Sequence, residues 1–455
     1  METGRYSAAD LIEFGKQILV HPQIGMTEKQ ALATTKILVE ADLRGDPDHG
    51  IAGGDKLNDV YVKIQDNYDQ LGFKRICNSD DLKKQGTDGD FIVQASKYPT
   101  MMAVDAKGLL GHYVALEILP EIIKTARQLG YAKAYIQNST HFGNCGIYSE
   151  MIAENDLAAK VNCTSPAYTK PFIEPQGEHS DNRNRYDGVK MRFGTNPMAW
   201  SIPYDQGIIT IDMATTQRAV SPTIRVANDN SAALGIETGS DGMLYIGKGD
   251  RKKRLRDVHL LLARIGNDAD LQKELSNLGY EETIRLKSVE SGLLKGPDGE
   301  DIHHPLAFDE VFKKQFWVAP LGGTFFGYKG FGLNMLIELD NVIGGGEPGL
   351  IRQLDAEGKP LTPEWVSQTI EAYAIDTIYP VTEAKKRIGE SVRTTRHCGN
   401  DLMFLPGEKE QLLRRKNLEE GIPLMQDQLK KLEAIAVKLG VAFNLKPVSL
   451  TEQDS

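Results

Sequence analysis

Residues 131–164, YAKAYIQNSTHFGNCGIYSEMIAENDLAAKVNCT, decide the fold class. YAKAYIQNS is rich in aromatic and branched residues over a strand's length. HFGNCG is a tight glycine turn, IYSEMIAENDL has helical composition, and AAKVNCT is a second short apolar strand. Strand, turn, helix and strand in immediate succession predict an α/β protein. The stretch also puts His141 at the carboxyl end of a strand, ahead of Gly143 and Gly146, where α/β proteins expose their chemistry. Histidine exchanges a proton near neutral pH more readily than any other side chain. The plainer reading of this segment is a histidine that satisfies the turn.

Upstream, HYVALEILPEIIKTARQLG (112–130) predicts an amphipathic helix closed by Gly130. Ser7 caps AADLIEFGKQILV, and Thr27 with Gln30 forms a capping box for a second helix ended by Gly45. The glycine-rich GDPDHGIAGG then places His49 on a loop, with Asp48 before it and Gly50 after it, a glycine that lets a ligand approach the backbone. Downstream, PMAWSIP and GIITIDMAT predict strands. Residues 66–95 and 222 to about 317 read as irregular or charged pieces, with helices at LRDVHLLLARI and DADLQKEL. PLGGTFFGYKGFGLNMLIELDNVIGGG reads as a glycine-rich loop feeding an apolar helix. Two more helices are expected at 408–420 and 424–439.

Composition narrows the function. A formal net charge of −10 in 455 residues argues against a protein that tracks nucleic-acid phosphates. The basic run RKKRLR (251–256) is balanced by Asp250 and Asp257 and reads as a solvated face. Four scattered cysteines without a CxxC pair give no metal signature. No apolar stretch approaches the ~18–20 residues of a membrane span. The expectation is a soluble, cytoplasmic protein.

Further candidates lie on strand ends and glycine turns. Gly194, Thr195 and Asn196 in RFGTNPMAW offer donors ahead of a strand, and Asp212, Met213 and Ala214 sit at the carboxyl end of the next. No G-x-G-x-x-G opens a helix after a strand, since GGTFFGYKGFG (322–332) has the wrong spacing. Lys329, beside Gly330, suits a pyrophosphate or a carboxylate, or lies on a plain glycine loop. In LPGEKEQLL, Gly407 and Glu408 open a helix whose N–H groups either carry an ordinary cap or hold part of a dinucleotide.

In order along the chain, HG (49–50), NSTHFGNCGIYSEMIAE (138–154), FGTNPMAWSIP (193–203), IDMATT (211–216), GYKGFGLNMLIE (327–338) and LPGEKEQLLRRKNLEEGIPL (405–424) resemble the malate/L-lactate dehydrogenase-like family. That family includes ureidoglycolate, sulfolactate and diketogulonate-type dehydrogenases and a cyclic-imine reductase, all unrelated in fold to Rossmann enzymes. The resemblance implies an α/β, non-Rossmann fold with a helical domain from both chain ends (1–112 and 346–455). It implies a central NAD- or NADP-binding domain (113–345), carrying here a large insertion at about 222–317. It implies a homodimer with the active site at the subunit interface.

By the same resemblance His141 is the catalytic histidine and His49 shares or orients the proton transfer. Thr164 and Ser165 contact substrate. Thr195, Asn196, Asp212, Met213, Ala214, Lys329, Gly330, Gly407 and Glu408 bind the cofactor. The implied reaction moves a hydride to or from C2 of a small 2-hydroxy or 2-oxo carboxylate. The alternatives are reduction of a cyclic imine carboxylate and a catalytically degenerate binding protein.

The sequence departs from the family at Asp48, where serine is usual, and at IAGGDK, where an arginine would hold the substrate carboxylate. Lys56 or Arg192 is the expected replacement, although lysine loses bidentate geometry. Extra residues around 66–95 and 178–190 and VSPTIRV after DMATT-x-x-A are further departures.

Overall fold

The computed structural model describes residues 2–52, 91–94, 96–174, 186, 189–241, 243–297, 299–306, 316–346, 366–399 and 403–448. The chain divides into two compact units. The first comprises residues 1–165, 197–213 and 339–455, and the second residues 166–196 and 214–338.

The first unit is built on a seven-stranded sheet. Its strands are β2 (Ile92–Gln94), β3 (Met101–Asp105), β4 (Tyr131–Ser139), β5 (Leu157–Cys163), β6 (Met198–Tyr204), β7 (Gly207–Met213) and β13 (Val366–Ala374). They hydrogen-bond in the order β2-β3-β4-β13-β5-β6-β7. Only β3 and β4 run parallel; every other neighbouring pair is antiparallel. β4, β6 and β7 fall where the sequence predicts strands.

Helix α3 (Gly111–Leu129) covers the sheet because Val114, Ile118, Ile122 and Ala126 recur every four residues and are all buried. Gly130, in the left-handed region at φ 80°, ends it as expected. Helix α4 (Cys145–Ala153) adds Ile147, Tyr148 and Ile152 to the same core.

A second core of this unit joins the ends of the chain. Strand β1 (Glu2–Tyr6) pairs antiparallel with β14 (Ile422–Met425). Helices α1 (Ala8–Val20), α2 (Glu28–Leu43) and α11 (Gln426–Leu439) bury Leu11, Ile18, Leu38, Leu432 and Ile435 together. Ser7 caps α1 and the Thr27–Gln30 box caps α2, as read from the sequence. Helices α9 (Val381–Cys398) and α10 (Glu408–Glu420) complete the unit.

The expected boundaries at 112/113 and 345/346 do not match this division. β13, placed by the sequence in a terminal helical domain, lies at the middle of the sheet because it hydrogen-bonds β4 on one side and β5 on the other.

The second unit contains the expected insertion, and that insertion is more regular than its charged sequence suggests. Helices α5 (Val220–Ala233), α6 (Leu255–Arg264) and α7 (Asp268–Asn277) accompany a three-stranded sheet. Its strands are β8 (Glu237–Thr238), β9 (Leu244–Ile246) and β10 (Lys253–Arg254). Leu234, Ile246, Leu255, Leu262, Leu271, Leu275 and Leu306 give these pieces a core of their own. β11 (Leu294–Lys295) and β12 (Trp317–Val318) form a second small pair. Helix α8 (Gly323–Ile343) runs out of this unit.

One expectation fails at α8. GGTFFGYKGFG is the helix itself rather than a loop feeding it. Two of its glycines serve packing: a Cβ on Gly330 would collide with the backbone of Leu321, and one on Gly327 with Phe172 and Pro320.

Candidate active site

In the first unit the loop after α2 and the turn after β4 bring two histidines face to face. The His49 and His141 rings stack with centroids 5.5 Å apart and planes 9° from parallel. His112, buried on the first turn of α3, lies 6.0 Å from His141, ring to ring.

Each loop is held from beneath. Arg44, just past the end of α2, is buried and paired with Glu40 at 2.9 Å and with Glu150 of α4 at 2.6 Å. Asp42, also buried, accepts the Ile51 N–H at 2.7 Å. Its carboxyl fills the space where a Cβ on Gly50 would lie, so the opening read from the sequence as room for a ligand is occupied by the protein. Desolvation pushes the Asp42 carboxyl up to about 8, with Asp46 nearby adding to the rise and the Ile51 N–H opposing it. On the other side, the Thr140 carbonyl accepts from the Gln368 amide at 2.7 Å, and the Thr140 hydroxyl accepts the Gly111 N–H at 3.1 Å. The Phe142 carbonyl takes the Tyr148 hydroxyl at 2.5 Å.

The hydrogen bonds at the two rings differ in kind. His49 Nδ1 lies 2.7 Å from Asp46 Oδ2, and that oxygen also accepts the Asn144 side-chain amide at 3.0 Å. Partial burial pushes the Asp46 carboxyl up. The bond from His49, the charge of His49 and the Asn144 amide outweigh it and leave Asp46 below the ordinary carboxylate range. An ionised carboxylate can only accept, so His49 carries its proton on Nδ1. At His141 the Gly143 backbone N–H donates to Nδ1 at 3.1 Å, which places the proton of the neutral ring on Nε2.

Asp212, the penultimate residue of β7, joins the same cluster. Its Oδ2 accepts the Gly146 N–H at 2.8 Å, an amide that also caps onto Asn144 Oδ1 at 2.9 Å. A Cβ on Gly146 would collide with the Asp212 carboxylate. Asp212 keeps a solvent-facing edge, yet desolvation on its packed side pushes its carboxyl up to about 6, against the pull of the Gly146 N–H and of His49. Sequence reasoning missed Asp46, Asn144 and His112. Two had a legible signal: an aspartate three residues before His49 on a short loop, and Asn144 in N-C-G as a helix N-cap.

Other expected site residues are engaged elsewhere in their own units. The Thr164 hydroxyl accepts the Ser367 N–H at 2.9 Å and holds the end of β5 to β13, with Ser165 next in the chain. Gly407, at φ 82°, packs on Thr210 of β7, and Glu408 accepts the Leu405 N–H at 2.9 Å and pairs with Arg396 at 2.6 Å. Met213 closes β7.

In the second unit Arg192 pairs with Glu338 at 3.2 Å, which partly neutralises the expected carboxylate anchor. Asn196 is buried, and its amide donates to Asn334 Oδ1 at 2.7 Å. The Thr195 carbonyl accepts the Thr215 N–H at 2.9 Å, just beyond Ala214. Lys329 is exposed on α8 beside the rings of Phe326 and Tyr328. Lys56 lies outside the described residues.

Comparison with known proteins finds relatives for the chain as a whole. Residues 73–241 match the family model described as malate/L-lactate dehydrogenase. The malate/(S)-sulfolactate dehydrogenase of Methanothermus fervidus is 23% identical over 420 residues, 92% of this chain and 94% of that protein. Two solved structures share the fold. The malate dehydrogenase of Pyrococcus horikoshii has a TM-score of 0.64 at 20% identity, covering 96% of each chain. The Δ1-piperideine-2-carboxylate reductase of Pseudomonas syringae has a TM-score of 0.63 at 19% identity, covering 95% of this chain and all of that one.

The class so defined is a mixed α/β fold, shared with these dehydrogenase and reductase structures. Residues 73–241 carry the likeness to the malate/L-lactate dehydrogenase family, and the likeness to the Methanothermus protein extends over most of the chain.

Proposed function

We propose that this protein is a NAD(P)-dependent dehydrogenase acting at C2 of a small 2-hydroxy or 2-oxo carboxylate. The observation that carries the reading is the stacked His49–His141 pair, whose protons are fixed on opposite ring nitrogens. Neutral His49 offers a lone pair at Nε2 to the substrate hydroxyl proton and returns that proton in the reductive direction. Neutral His141 offers an N–H at Nε2 to the same oxygen as charge develops on it. This exchanges the emphasis drawn from the sequence, in which His141 moves the proton and His49 assists.

The donor set fits a nicotinamide dinucleotide. Lys329 is an exposed cation flanked by exposed aromatic faces, suited to a phosphate beside a stacked ring. Ala214 and Thr195, in the same unit as Lys329, are the further cofactor candidates that the family resemblance implies there. When bound, the cofactor supplies the hydride chemistry at C2.

Assembly as a homodimer is part of the proposal. α8 exposes Phe325, Leu336, Leu339 and Ile343 at 71%, 58%, 49% and 75%, on one helical stripe. Such a stripe on an otherwise acidic chain suits a second copy. Among the described residues no helix is long and apolar enough to cross a membrane, so a bilayer-spanning segment does not account for it. Leu336→Asp with Ile343→Asp should lower the mass read by light scattering to that of one chain. An unchanged oligomer would remove α8 from the interface.

The decisive experiment is a panel of oxaloacetate, pyruvate, sulfopyruvate and cyclic imine carboxylates with NADH and NADPH, read at the nicotinamide absorbance. Turnover confined to imines would favour a second reading, a C=N reductase, which the likeness to the piperideine-2-carboxylate reductase supports. No turnover on any of them, together with no quench or enhancement of NADH fluorescence, would overturn both.

A further inference from the structure

We infer that Asp46 is a positioning residue whose carboxylate holds the His49 imidazole with Nδ1 protonated, so that Nε2 is the atom facing the substrate proton. The inference rests on the proposed role of His49 and assigns a group that neither the family motifs nor the expected site contained.

The geometry makes Asp46 more than a loop acid. One oxygen, Oδ2, receives both His49 Nδ1 at 2.7 Å and the Asn144 amide at 3.0 Å. Asn144 is itself fixed, because its Oδ1 caps α4 through the Gly146 N–H. The carboxylate is therefore tied to the turn that carries His141 as well as to the loop that carries His49. The His49 backbone N–H also donates to the Asp46 carbonyl at 3.2 Å, so ring and backbone are set by the same residue.

In the oxidative direction the substrate O–H bond breaks and its proton passes to Nε2. The imidazolium so formed has its charge met by Asp46 on the far side of the ring. The C2–H electron pair leaves as hydride to the oxidised nicotinamide. Other ionisable groups around the pair include Asp48, next to His49 in the chain, His141, stacked on its face, Asp212 from the end of β7, and Asp42 and Arg44 beneath the loop. The Nδ1 hydrogen bond goes to Asp46.

Asp46→Asn keeps the shape and an acceptor oxygen but removes the charge, and Asp46→Ala removes both. With oxaloacetate and NADH, kcat should fall about tenfold to a hundredfold in Asp46→Ala, the scale of a misplaced catalytic group, with KM little changed. In Asp46→Asn the limb of the rate profile that falls as pH rises should move to lower pH, because the imidazolium has lost its counter-charge. Imidazole nitrogen chemical shifts supply a readout independent of turnover. His49 should show the Nδ1–H form in the parent protein and in Asp46→Asn, and a mixture of tautomers in Asp46→Ala.

His49→Ala separates this inference from the reading beneath it. If His49→Ala is inactive while both Asp46 variants keep the parent rate, pH profile and ring signals, Asp46 positions nothing and the inference is overturned. If His49→Ala retains full turnover, the catalytic reading of His49 falls. The nitrogen shifts then still report whether Asp46 sets the ring. Asp46→Asn, the conservative variant, keeps the test valid should Asp46→Ala fail to fold.

Discussion

The loop after α2 and the turn after β4 each present a histidine, and the rings lie almost parallel 5.5 Å apart. Their surroundings are nevertheless different. His49 gives its Nδ1 proton to a carboxylate, while His141 takes a backbone N–H at Nδ1. A carboxylate behind a ring stabilises its charged form, whereas an amide donor opposes a second proton. Two identical side chains thus acquire unequal work from neighbours two or three residues away. A histidine in a glycine turn is a weak signal by itself; the atom that faces its inner nitrogen decides what the ring can do.

The difference can be broken by substitution. His49→Ala should lower kcat most, by about a hundredfold to ten-thousandfold, as expected for loss of a proton-transfer group, and leave NADH fluorescence titration unchanged. His141→Ala should cost less, about tenfold to a hundredfold, the value of one hydrogen bond to a charged oxygen. The reverse ranking would restore the order suggested by the sequence. Gly50→Ala tests the loop without touching either ring. Its Cβ would meet the Asp42 carboxyl, so the loop must move, and kcat should fall about tenfold while His141 keeps its nitrogen shifts.

The smallest expected effect concerns stability. Asp42 titrates near 8 when folded against an ordinary 3.8, so between those values the folded chain holds a proton that the unfolded chain has released. Stability from this group is complete at low pH and is lost as pH rises through about 8. Asp42→Asn should flatten the decline and raise Tm at alkaline pH by about a few degrees. A parent Tm that did not fall across this range would show Asp42 to be ionised in place.

Much of this was legible in the residues. YAKAYIQNS, HFGNCG and AAKVNC announce β4, the histidine turn and β5, and the caps at Ser7, Thr27 and Gly130 are local chemistry that tertiary contacts did not override. β13 was not legible because Ser367, Gln368 and Thr369 are polar yet buried at the centre of the sheet. α9 hid for the opposite reason. VTEAKKRIGESVRTTRHC has almost no apolar stripe, and only Ala384 and Gly389 are buried. The Asp46–His49 pair depends on the path of the loop after α2, which propensity does not encode.

The central place of β13 also sets a timetable. β4 and β5 are successive strands along the chain, yet they do not pair with each other: residues 366–374 must thread between them. A growing chain reaches that strand only after about two hundred further residues, and closing such a span is slow. Until then β4 and β5 each present an unpaired edge to any strand that arrives first, a known route to aggregation. The 214–338 segment, with a core made only of its own residues, can condense in the interval. A chain halted at residue 365 should therefore precipitate rather than unfold, and supplying VSQTIEAYA as a separate peptide should keep it dispersed.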